Sequence, residues 1–465
     1  MTTDTRSDLT PMIDALREAF SGEVIVPGHP AYDEARQVWN GLIDRRPAVI
    51  ARCANAEDVQ QAVSLARRYR PSVSIRGGGH QVAGSAVCND GLVIDLSSMN
   101  GVEVDPEHQL ARVGGGATWG DVDPATQRYG LAVTGGEVST TGVGGFTLGG
   151  GMGVIMRAHG LACDNLRSIE VVTADGERRR AAADEHPDLF WAARGGGRGI
   201  GAVTSFEFDL HPLGPEVANA TVFYPFDQAE RVLRAFRDVA PTMPETVTPQ
   251  LMFWSVPPDP VIPSELHGRP AAIAIGLYAG PAEEGAEALA PLAELGTPMF
   301  DATGNVDYVE QQASVDAFFP HGGRYFMKSH GMDALNDDVV HALIESYRRR
   351  PTPETLIAIR TLGGAVARIG SDESAFPHRG DRFNVSIDAG WSDPARDDEA
   401  VAWARGLWDA LEPHANGGVY VNFAGLEDDG DSVRDRTFRA SQRRLTEVRA
   451  AYDPEGLFEG AARRP

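Results

Sequence analysis

The chain contains few cysteines and almost no lysine. Three cysteines, Cys53, Cys88 and Cys163, stand far apart in 465 residues, which excludes the disulfide framework of a small secreted domain. No cysteine and histidine cluster has the spacing of a metal site, so we expect buried free thiols and no bound metal. Lysine occurs once, at Lys328, and arginine supplies the rest of the 42 basic residues.

Positive charge is also scarce. The 66 acidic residues outnumber the 42 basic ones, for a net charge of −24. Such an excess repels phosphate backbones and anionic lipids, so we expect neither nucleic acid nor a membrane surface as a partner. No stretch approaches the ~18 uninterrupted apolar residues of a membrane span. The first twenty residues also lack the basic and then apolar pattern of a secretory signal. Together these features predict a cytoplasmic protein.

The length and texture of the chain predict more than one domain. The 465 residues exceed the ~250–300 residues that one hydrophobic core supports. Strand and helix signals alternate up to Pro212, after which prolines become frequent and glycine-dense stretches end. We therefore expect a cofactor-binding domain at 1–212, to which residues 420–465 return, and a substrate-binding domain at 213–419.

Local patterns predict the individual elements. An Asn cap at Asn55 opens a helix over 55–69, between an apolar strand at 48–53 and a β-branched strand at 72–76. Further strands are predicted at 91–96, 109–113, 166–173, 202–210, 271–278, 383–389 and 419–423. Further helices are predicted at 119–129, 338–349 and 432–451, and an acidic loop at 427–431.

Glycine is abundant and concentrates in three loops. The loops read RGGGH at 76–80, GVGGFTLGGGMG at 142–153 and RGGGRGIG at 194–201. Glycine loses the most entropy on ordering, so such runs are expected where the backbone must take positive φ or approach a ligand closely. Successive glycine N–H groups also form anion-binding nests. Three loops of this kind predict a large phosphate-bearing cofactor that lies across all of them.

Two other phosphate-binding patterns fit the loops poorly. Gly197, Gly199 and Ala202 match the letters of the Rossmann motif, but a strand follows them where that motif needs a helix. A Walker loop needs lysine after glycine, and the single lysine here follows Met327. For any one loop, tight turns without a ligand are the alternative interpretation.

Further motifs make the chain similar to a known family. RGGGHQVAG (76–84), VIDLSSMN (93–100), GVGGFTLGGGMG (142–153), GLACDNL (160–166), HPDLFWAARGGG (186–197), YVNF (420–423) and YDPEGLF (452–458) occur in this order. Together they resemble the FAD-linked oxidases of the vanillyl-alcohol-oxidase superfamily, in the berberine-bridge-enzyme-like branch. The resemblance implies an α+β fold: a PCMH-type FAD-binding domain of two subdomains, plus an α/β substrate domain whose mixed or antiparallel sheet is covered by helices.

The resemblance also implies which residues hold FAD. His80 is expected to bear the flavin through a covalent bond to the 8α-methyl group, while the glycines before it line the pyrophosphate. Some relatives add a second bond from a cysteine, whose place is taken here by Val138, so a single link is expected. The expected cofactor-binding residues are Arg76, Gly77, Gly78, Gly79, His80, Gly84, Thr141, Gly142, Gly144, Gly145, Gly149, Gly150, Val203, Tyr420 and Asn422.

The resemblance further places a Tyr-x-Asn pair beside the flavin, and Tyr420 and Asn422 match it. On a strand, period-2 spacing would put both side chains on one face. Tyrosine ionises near ~10, so a tyrosine base needs a nearby cation or hydrogen-bond donor to lower its pKa. Lys328 is the candidate for that cation, and a surface lysine without a role is the alternative interpretation. The expected catalytic residues are thus Tyr420, Asn422 and Lys328.

A fourth expected catalytic residue is Ser386, near the position where plant relatives have a glutamine. In a strand at 383–389, Asn384, Ser386 and Asp388 share one face.

Flavin chemistry limits what the protein itself must do. The flavin accepts the hydride, so the protein need only bind, orient and deprotonate the substrate. We expect an oxidase that transfers hydride from a C–H or CH–OH group of a small specialised metabolite to flavin N5, with O₂ as acceptor and H₂O₂ as product. The alternatives are a dehydrogenase with another acceptor, an oxygenating enzyme that rearranges its substrate, and a flavin-carrying binding protein without turnover.

Overall fold

The strands assemble into a four-stranded, a five-stranded and an eight-stranded sheet, accompanied by one short two-stranded pair. This description comes from a computed structural model and covers residues 9–425 and 436–458. Helices pack against all three large sheets. The α+β fold expected from the sequence is therefore confirmed.

The first sheet provides the glycine loop at 77–79. Its strands are β1 (Glu23–Ile25), β2 (Val49–Arg52), β3 (Val73–Arg76) and β4 (Leu92–Asp95), and its helices are α1 (Thr10–Ala19), α2 (Tyr32–Ala35) and α3 (Ala56–Tyr69). The order is β1-β2-β4-β3, with β4 parallel to β2 and β3. Asn55 caps α3 by accepting from the Asp58 N–H at 2.9 Å, as predicted. Strand β3 ends at Arg76, so the loop begins at the edge of the sheet.

The second sheet is antiparallel. The other two glycine loops connect its strands and the helices that accompany them. Its strands are β5 (Val102–Asp105), β6 (Leu110–Gly114), β8 (Leu166–Val172), β9 (Arg178–Ala182) and β10 (Ala202–Asp209), in the order β5-β6-β10-β8-β9. The short strands β7 (Leu131–Ala132) and β11 (His211–Pro212) pair with each other. The accompanying helices are α4 (Trp119–Gln127), α5 (Val143–Leu148), α6 (Met156–His159) and α7 (Pro187–Ala193). The loop at 142–153 thus includes α5, and the loop at 194–201 joins α7 to β10.

The third sheet is larger, and each of its strand pairs is antiparallel. Its strands are β12 (Glu216–Pro225), β13 (Val247–Ser255), β14 (Pro270–Tyr278), β15 (Phe300–Asp301), β16 (Gly304–Asp307), β17 (Arg324–Met332), β18 (Leu356–Thr361) and β19 (Phe383–Trp391). The order is β15-β12-β14-β13-β18-β19-β17, with β16 beside β12. The helices here are α8 (Ala229–Val239), α9 (Gly285–Leu289), α10 (Tyr308–Gln312), α11 (Asp337–Arg348), α12 (Ala365–Arg368) and α13 (Asp397–Leu411).

The two faces of this sheet have different surroundings because side chains alternate along each strand. On one face, Phe326, Val385 and Ile387 join the core formed with α8, α11 and α13. On the other face, Met327 and Asp388 line a cavity that also reaches the glycine loops. The sheet therefore forms one wall of the site.

The C-terminal segment differs from its prediction. Residues 419–423 form no strand, because Val421–Phe423 is a 3₁₀ helix. The N–H of Tyr420 donates to the Ser329 side-chain hydroxyl at 3.1 Å instead of to a backbone carbonyl of β17. Residues 419–423 therefore do not add a strand to the edge of the sheet. The predicted helix at 432–451 is observed as α14 (Gln442–Tyr452). Its first four predicted positions and the acidic loop at 427–431 lie outside the described residues.

The division into residues 1–212 with 420–465 and residues 213–419 stays a prediction. Its boundary falls between β11 and β12. Within residues 9–425 and 436–458, no helix is both long enough and apolar enough to cross a bilayer.

Candidate active site

A cavity of about 1960 Å³ connects the glycine loops with the uncovered face of the eight-stranded sheet. The glycine loops form one wall of the cavity, and the eight-stranded sheet forms another. The glycine-loop side contributes Gly77, Gly78, Gly79, Gly142, Gly144, Gly145 and Gly149, together with His80, Thr141 and Val203. The sheet side contributes residues such as Phe223, Gln250, Trp254, Arg360 and Asp388. A ligand bound to the loops would therefore lie directly against the sheet.

The loops form a close-fitting cradle because two of them touch backbone to backbone. A Cβ added to Gly78 would lie 2.5 Å from the Cα of Gly142, so neither position has room for a side chain. Gly145 shows the opposite environment. It is exposed to the cavity, and no protein atom lies within 4 Å of a Cβ added there. The loop surface at Gly145 is thus bare backbone, as a tightly held phosphate or flat ring requires.

His80 stands at the end of the first loop, in an aromatic stack. Its imidazole lies 4.2 Å from the Trp39 ring at 17°, and Trp39 stacks in turn on Tyr325 at 3.9 Å. The Nε2 atom of His80 is 3.2 Å from the Thr140 hydroxyl. Loss of water around the ring lowers the pKa of His80 to about 3. The imidazole is therefore neutral at pH 7.

Three of the residues expected to bind the cofactor lie behind the cavity wall. The Arg76 guanidinium donates to the Ala35 carbonyl, Gly84 packs under the Ile43 side chain, and Gly150 packs on Phe376. None of the three lines the cavity. Gly84 has φ +72 and Gly150 has φ +114, so these two glycines shape the loops from outside the ligand space.

Tyr420 and Asn422 do lie together, although on a 3₁₀ turn rather than on a strand. The Asn422 amide donates to the Tyr420 hydroxyl at 2.8 Å and to the Phe146 carbonyl at 3.1 Å. The N–H groups of Gly151 and Met152 also donate to the Tyr420 hydroxyl, each at 3.1 Å. Three N–H donors thus converge on one phenol oxygen, and the C-terminal segment is tied to the second glycine loop.

The expectation that a cation lowers the pKa of Tyr420 is wrong. Burial raises the pKa of Tyr420 to about 12, and the N–H donors only partly oppose that effect. Lys328 does not supply the missing charge, because its ammonium lies 4.2 Å from the centroid of the Trp408 ring. Its neighbour Ser329 points toward Tyr420, and side chains alternate along β17, so Lys328 faces the helices instead.

Asp388, unlike Tyr420, has an oxygen atom that accepts no hydrogen bond from the described residues. It is buried, lines the cavity, and carries an Oδ1 atom without a hydrogen-bond partner among the described residues. Its cross-strand neighbours are the apolar side chains of Met327 and Leu356. Burial therefore raises the pKa of Asp388 to about 6, while the positive charge of Arg360 and the Ser386 hydroxyl oppose the shift.

Ser386 links Asp388 to Arg360 through its hydroxyl group. It is fully buried and does not line the cavity, and its expected catalytic role stays a prediction. Its hydroxyl donates to Asp388 Oδ2 at 3.0 Å and accepts from the Arg360 guanidinium at 2.9 Å. Glu137 lies 3.7 Å from the Nε of Arg360 and completes the group.

The sequence interpretation missed Asp388, Arg360 and Glu137 as site residues. A signal for Asp388 was present, since an acid alternates there with apolar residues in a strand that is otherwise suited to burial. No comparable signal marks Arg360 or Glu137, which come from other strands and loops.

Comparisons with known proteins indicate the family of the chain. Residues 47–182 match a family model described as an FAD binding domain. The chain is 31% identical to the FAD-linked oxidoreductase YgaK of Bacillus subtilis, covering 94% of this chain and 96% of that protein. Its fold is similar to that of 6-hydroxy-D-nicotine oxidase from Arthrobacter nicotinovorans, with a TM-score of 0.84, 26% identity and coverage of 94% and 96% of the two chains. It is also similar to glucooligosaccharide oxidase from Acremonium strictum, with a TM-score of 0.85, 23% identity and coverage of 97% and 98%.

The bare surface at Gly145 generates a test of the cradle. Gly145→Ala adds a methyl group that meets no protein atom within 4 Å. Alanine is also favoured over glycine inside a helix by ~0.5–1 kcal/mol. We expect the flavin-free variant to unfold at the same or a higher temperature, while its FAD content after purification falls severalfold. Absorbance at the flavin band and thermal unfolding check the two expectations.

Gly78→Ala is the matched control, because its methyl group would overlap the Gly142 backbone and lower the unfolding temperature of the flavin-free protein itself. A Gly145→Ala protein with a normal FAD content would contradict the cradle.

Proposed function

This chain belongs to the FAD-linked oxidoreductases of the vanillyl-alcohol-oxidase superfamily, and from that premise we propose that it is an oxidase of a small organic substrate. One observation supports the proposal above all: a single cavity presents the histidine-bearing glycine cradle on one side and, on the other, a buried carboxylate whose Oδ1 has no hydrogen-bond partner among the described residues. When bound, FAD would supply the hydride acceptor, and the two electrons would then pass with two protons to O₂ to give H₂O₂. The chain's own residues then bind, orient and deprotonate the substrate.

We propose that His80 holds FAD through one covalent bond. The support is its neutral imidazole, stacked on Trp39 and held by Thr140 at the end of the cradle. Glucooligosaccharide oxidase from Acremonium strictum is described with both a cysteinyl and a histidyl link to FAD. In this chain Val138 lines the cavity at the position expected for that cysteine, and valine forms no thioether.

The cysteines of this chain are poor substitutes for such a link. Cys53 and Cys163 do not line the cavity. Cys88 lines it, but its sulfur lies 3.6 Å from the Leu92 carbonyl and burial raises the pKa of its thiol. A protonated, enclosed thiol is a weak nucleophile.

We propose Asp388 as the base. Its free Oδ1 can accept the proton of a substrate O–H or N–H group, and a pKa of about 6 leaves it ionised at neutral pH. Ser386 and Arg360 hold its other oxygen in place through the hydrogen bonds that link them. Tyr420, which has three N–H donors on its oxygen, holds the second glycine loop.

The oxidase proposal is tested by a reduction and reoxidation experiment. Purified protein is mixed without air with a panel of alcohols and amines, and the flavin absorbance is followed. Addition of air should restore the oxidised spectrum within the mixing time and release one H₂O₂ per flavin. Reduced flavin that persists in air but discharges to a quinone dye would establish a dehydrogenase. Incorporation of oxygen into the product would establish an oxygenating enzyme.

The covalent link is tested by acid precipitation. The wild-type pellet should stay yellow, because a carbon–nitrogen bond survives denaturation, whereas His80→Ala should release its FAD to the supernatant. After proteolysis, the flavin should be found only in the peptide that contains His80. A colourless wild-type pellet would remove the covalent link, and flavin on a cysteine-containing peptide would remove the single-link model.

The role of Asp388 predicts a pH dependence. Below about pH 6 the carboxyl group is protonated and cannot accept a proton, so the rate of flavin reduction should rise with pH through about 6 and level off above it. Asp388→Asn should slow flavin reduction by about 10²–10⁴ and abolish that rise. Stopped-flow absorbance across pH 5–9 measures both effects.

Tyr420→Phe is the control for this prediction. It leaves three N–H donors without their acceptor, so the free energy of unfolding should fall by about 1–3 kcal/mol. The rise near pH 6 should persist. Loss of that rise in Tyr420→Phe, with its retention in Asp388→Asn, would assign the base to Tyr420.

A further inference from the structure

Two carboxylates connect the segment before the second glycine loop to the part of the chain that carries the eight-stranded sheet. We call residues 136–141 the linking segment. Its Glu137 carboxylate accepts from the Gln250 amide on β13, at 2.9 Å from Oε1. In the other direction, the Ser139 N–H donates to Asp316 Oδ1 at 2.8 Å, and the Ser139 hydroxyl donates to the second oxygen of Asp316. The linking segment therefore has two acidic contacts with the sheet side.

Glu137 also contacts the arginine that lies beside the proposed base. The Oε1 atom that accepts from Gln250 is 3.7 Å from the Nε of Arg360. Gln250 and Arg360 are directly paired across β13 and β18, so two neighbours in one row of the sheet meet the same carboxylate oxygen. The Arg360 guanidinium also lies 4.9 Å from the centroid of the Phe423 ring. Groups other than Asp388 thus hold this arginine in place.

The link from Arg360 to Asp388 runs through a serine. The Arg360 guanidinium donates to the Ser386 hydroxyl at 2.9 Å, and that hydroxyl donates to Asp388 Oδ2 at 3.0 Å. One guanidinium therefore stands between two carboxylates, those of Glu137 and Asp388. A cation divided in this way stabilises each carboxylate less than a cation paired with one alone.

The other neighbours of Asp388 are uncharged at neutral pH. The side chains on its face of the paired strands β17 and β18 include Tyr325, Met327, Ser329, Leu356 and Ala358. Burial raises the pKa of Tyr325, and on the C-terminal segment it raises the pKa of Tyr420 to about 12, so both phenols stay neutral. Burial also has the largest effect on the pKa of Asp388, which it raises, while the charge of Arg360 lowers that pKa and the charge of Glu137 raises it.

From this geometry we propose that Glu137 is a positioning residue of the reaction: it shares the Arg360 guanidinium with Asp388 and so prevents the arginine from pairing fully with the base. This inference rests on the proposed function, because it takes Asp388 as the base. A fully paired carboxylate accepts protons less readily, since the cation stabilises its ionised form. Glu137 thus keeps the base reactive from the same segment whose Thr140 contacts His80.

Glu137→Gln tests this role, because the new amide oxygen can still accept from Gln250 while the negative charge is lost. Arg360 is then free to pair with Asp388, so the pH midpoint at which Asp388 ionises should fall by about 0.5–1. Infrared difference spectra of the flavin-bound protein measure this midpoint without turnover, and Asp388→Asn identifies the carboxyl band of Asp388. The rise of flavin reduction with pH should be displaced equally in stopped-flow experiments. An unchanged midpoint would overturn the proposal.

Asp316→Asn is the matched control. It makes the same change from carboxylate to amide at the other acidic contact of the linking segment, but Asp316 does not line the cavity and is not among the charges that act on Asp388. The midpoint should therefore stay at its wild-type value, even where the unfolding temperature falls. An equal displacement in Asp316→Asn would show that loosening of the segment is sufficient, and would overturn the role of the Glu137 charge.

Arg360→Gln determines whether Glu137 acts through the arginine. Loss of the positive charge should raise the midpoint, and in this background Glu137→Gln should displace it less than in the wild-type background. Equal displacement in the two backgrounds would mean that Glu137 acts by its own charge alone, which overturns the positioning role. Glu137→Ala removes the same charge and should also lower the midpoint, so the test remains available if Glu137→Gln yields no folded protein.

The two proposals can fail separately, because the ionisation of Asp388 is measured without turnover. A midpoint that moves as expected, together with a rate of flavin reduction that does not follow it, would count against Asp388 as the base and leave the shared guanidinium in place. A rate that follows the wild-type midpoint of Asp388, with no displacement in Glu137→Gln, would count against the role of Glu137 alone.

Discussion

The contact between Gly78 and Gly142 is the constraint on which the rest of the site depends. A Cβ on Gly78 would lie 2.5 Å from the Gly142 Cα, so the two loops meet only because both residues lack side chains. This contact brings the end of the first sheet against the second loop, and as a result Thr140 reaches the imidazole of His80. The cradle and the residue proposed to bond the flavin therefore have one structural origin.

A second connection joins this cradle to the substrate side. The N–H of Tyr420 binds Ser329 on β17, while its hydroxyl binds the N–H groups of Gly151 and Met152. One residue thus links the edge of the eight-stranded sheet to the second glycine loop. The position of Asp388 relative to the cradle depends on this link, because β19 is paired directly with β17. We infer that Tyr420 contributes to the reaction through this geometry.

Much of the fold followed from local patterns. The cap at Asn55, the strands that precede and follow the first glycine loop in the chain, and the strand beginning at Phe383 lie close to their predicted positions. Caps, turns and period-2 alternation act over a few residues, which is why local patterns predict them. The segment at 419–423 alternates in the same way but forms a 3₁₀ turn. The N–H of Tyr420 donates to the Ser329 hydroxyl instead of to a carbonyl group of a neighbouring strand. Nothing in the sequence of residues 419–423 predicts that contact.

The sequence by itself determined the family and the cofactor, through the resemblance that its ordered motifs carry, and its glycine runs indicated where the backbone approaches a ligand. It also determined that Ser386 and Asp388 share a strand face. Only the tertiary structure decided which of the two meets the cavity, and that Lys328 faces Trp408 rather than Tyr420. The physical reason is that periodicity assigns side chains to two faces without saying what covers each face. The pKa of Asp388 likewise depends on Met327 and Leu356, which cross-strand pairing alone brings beside it.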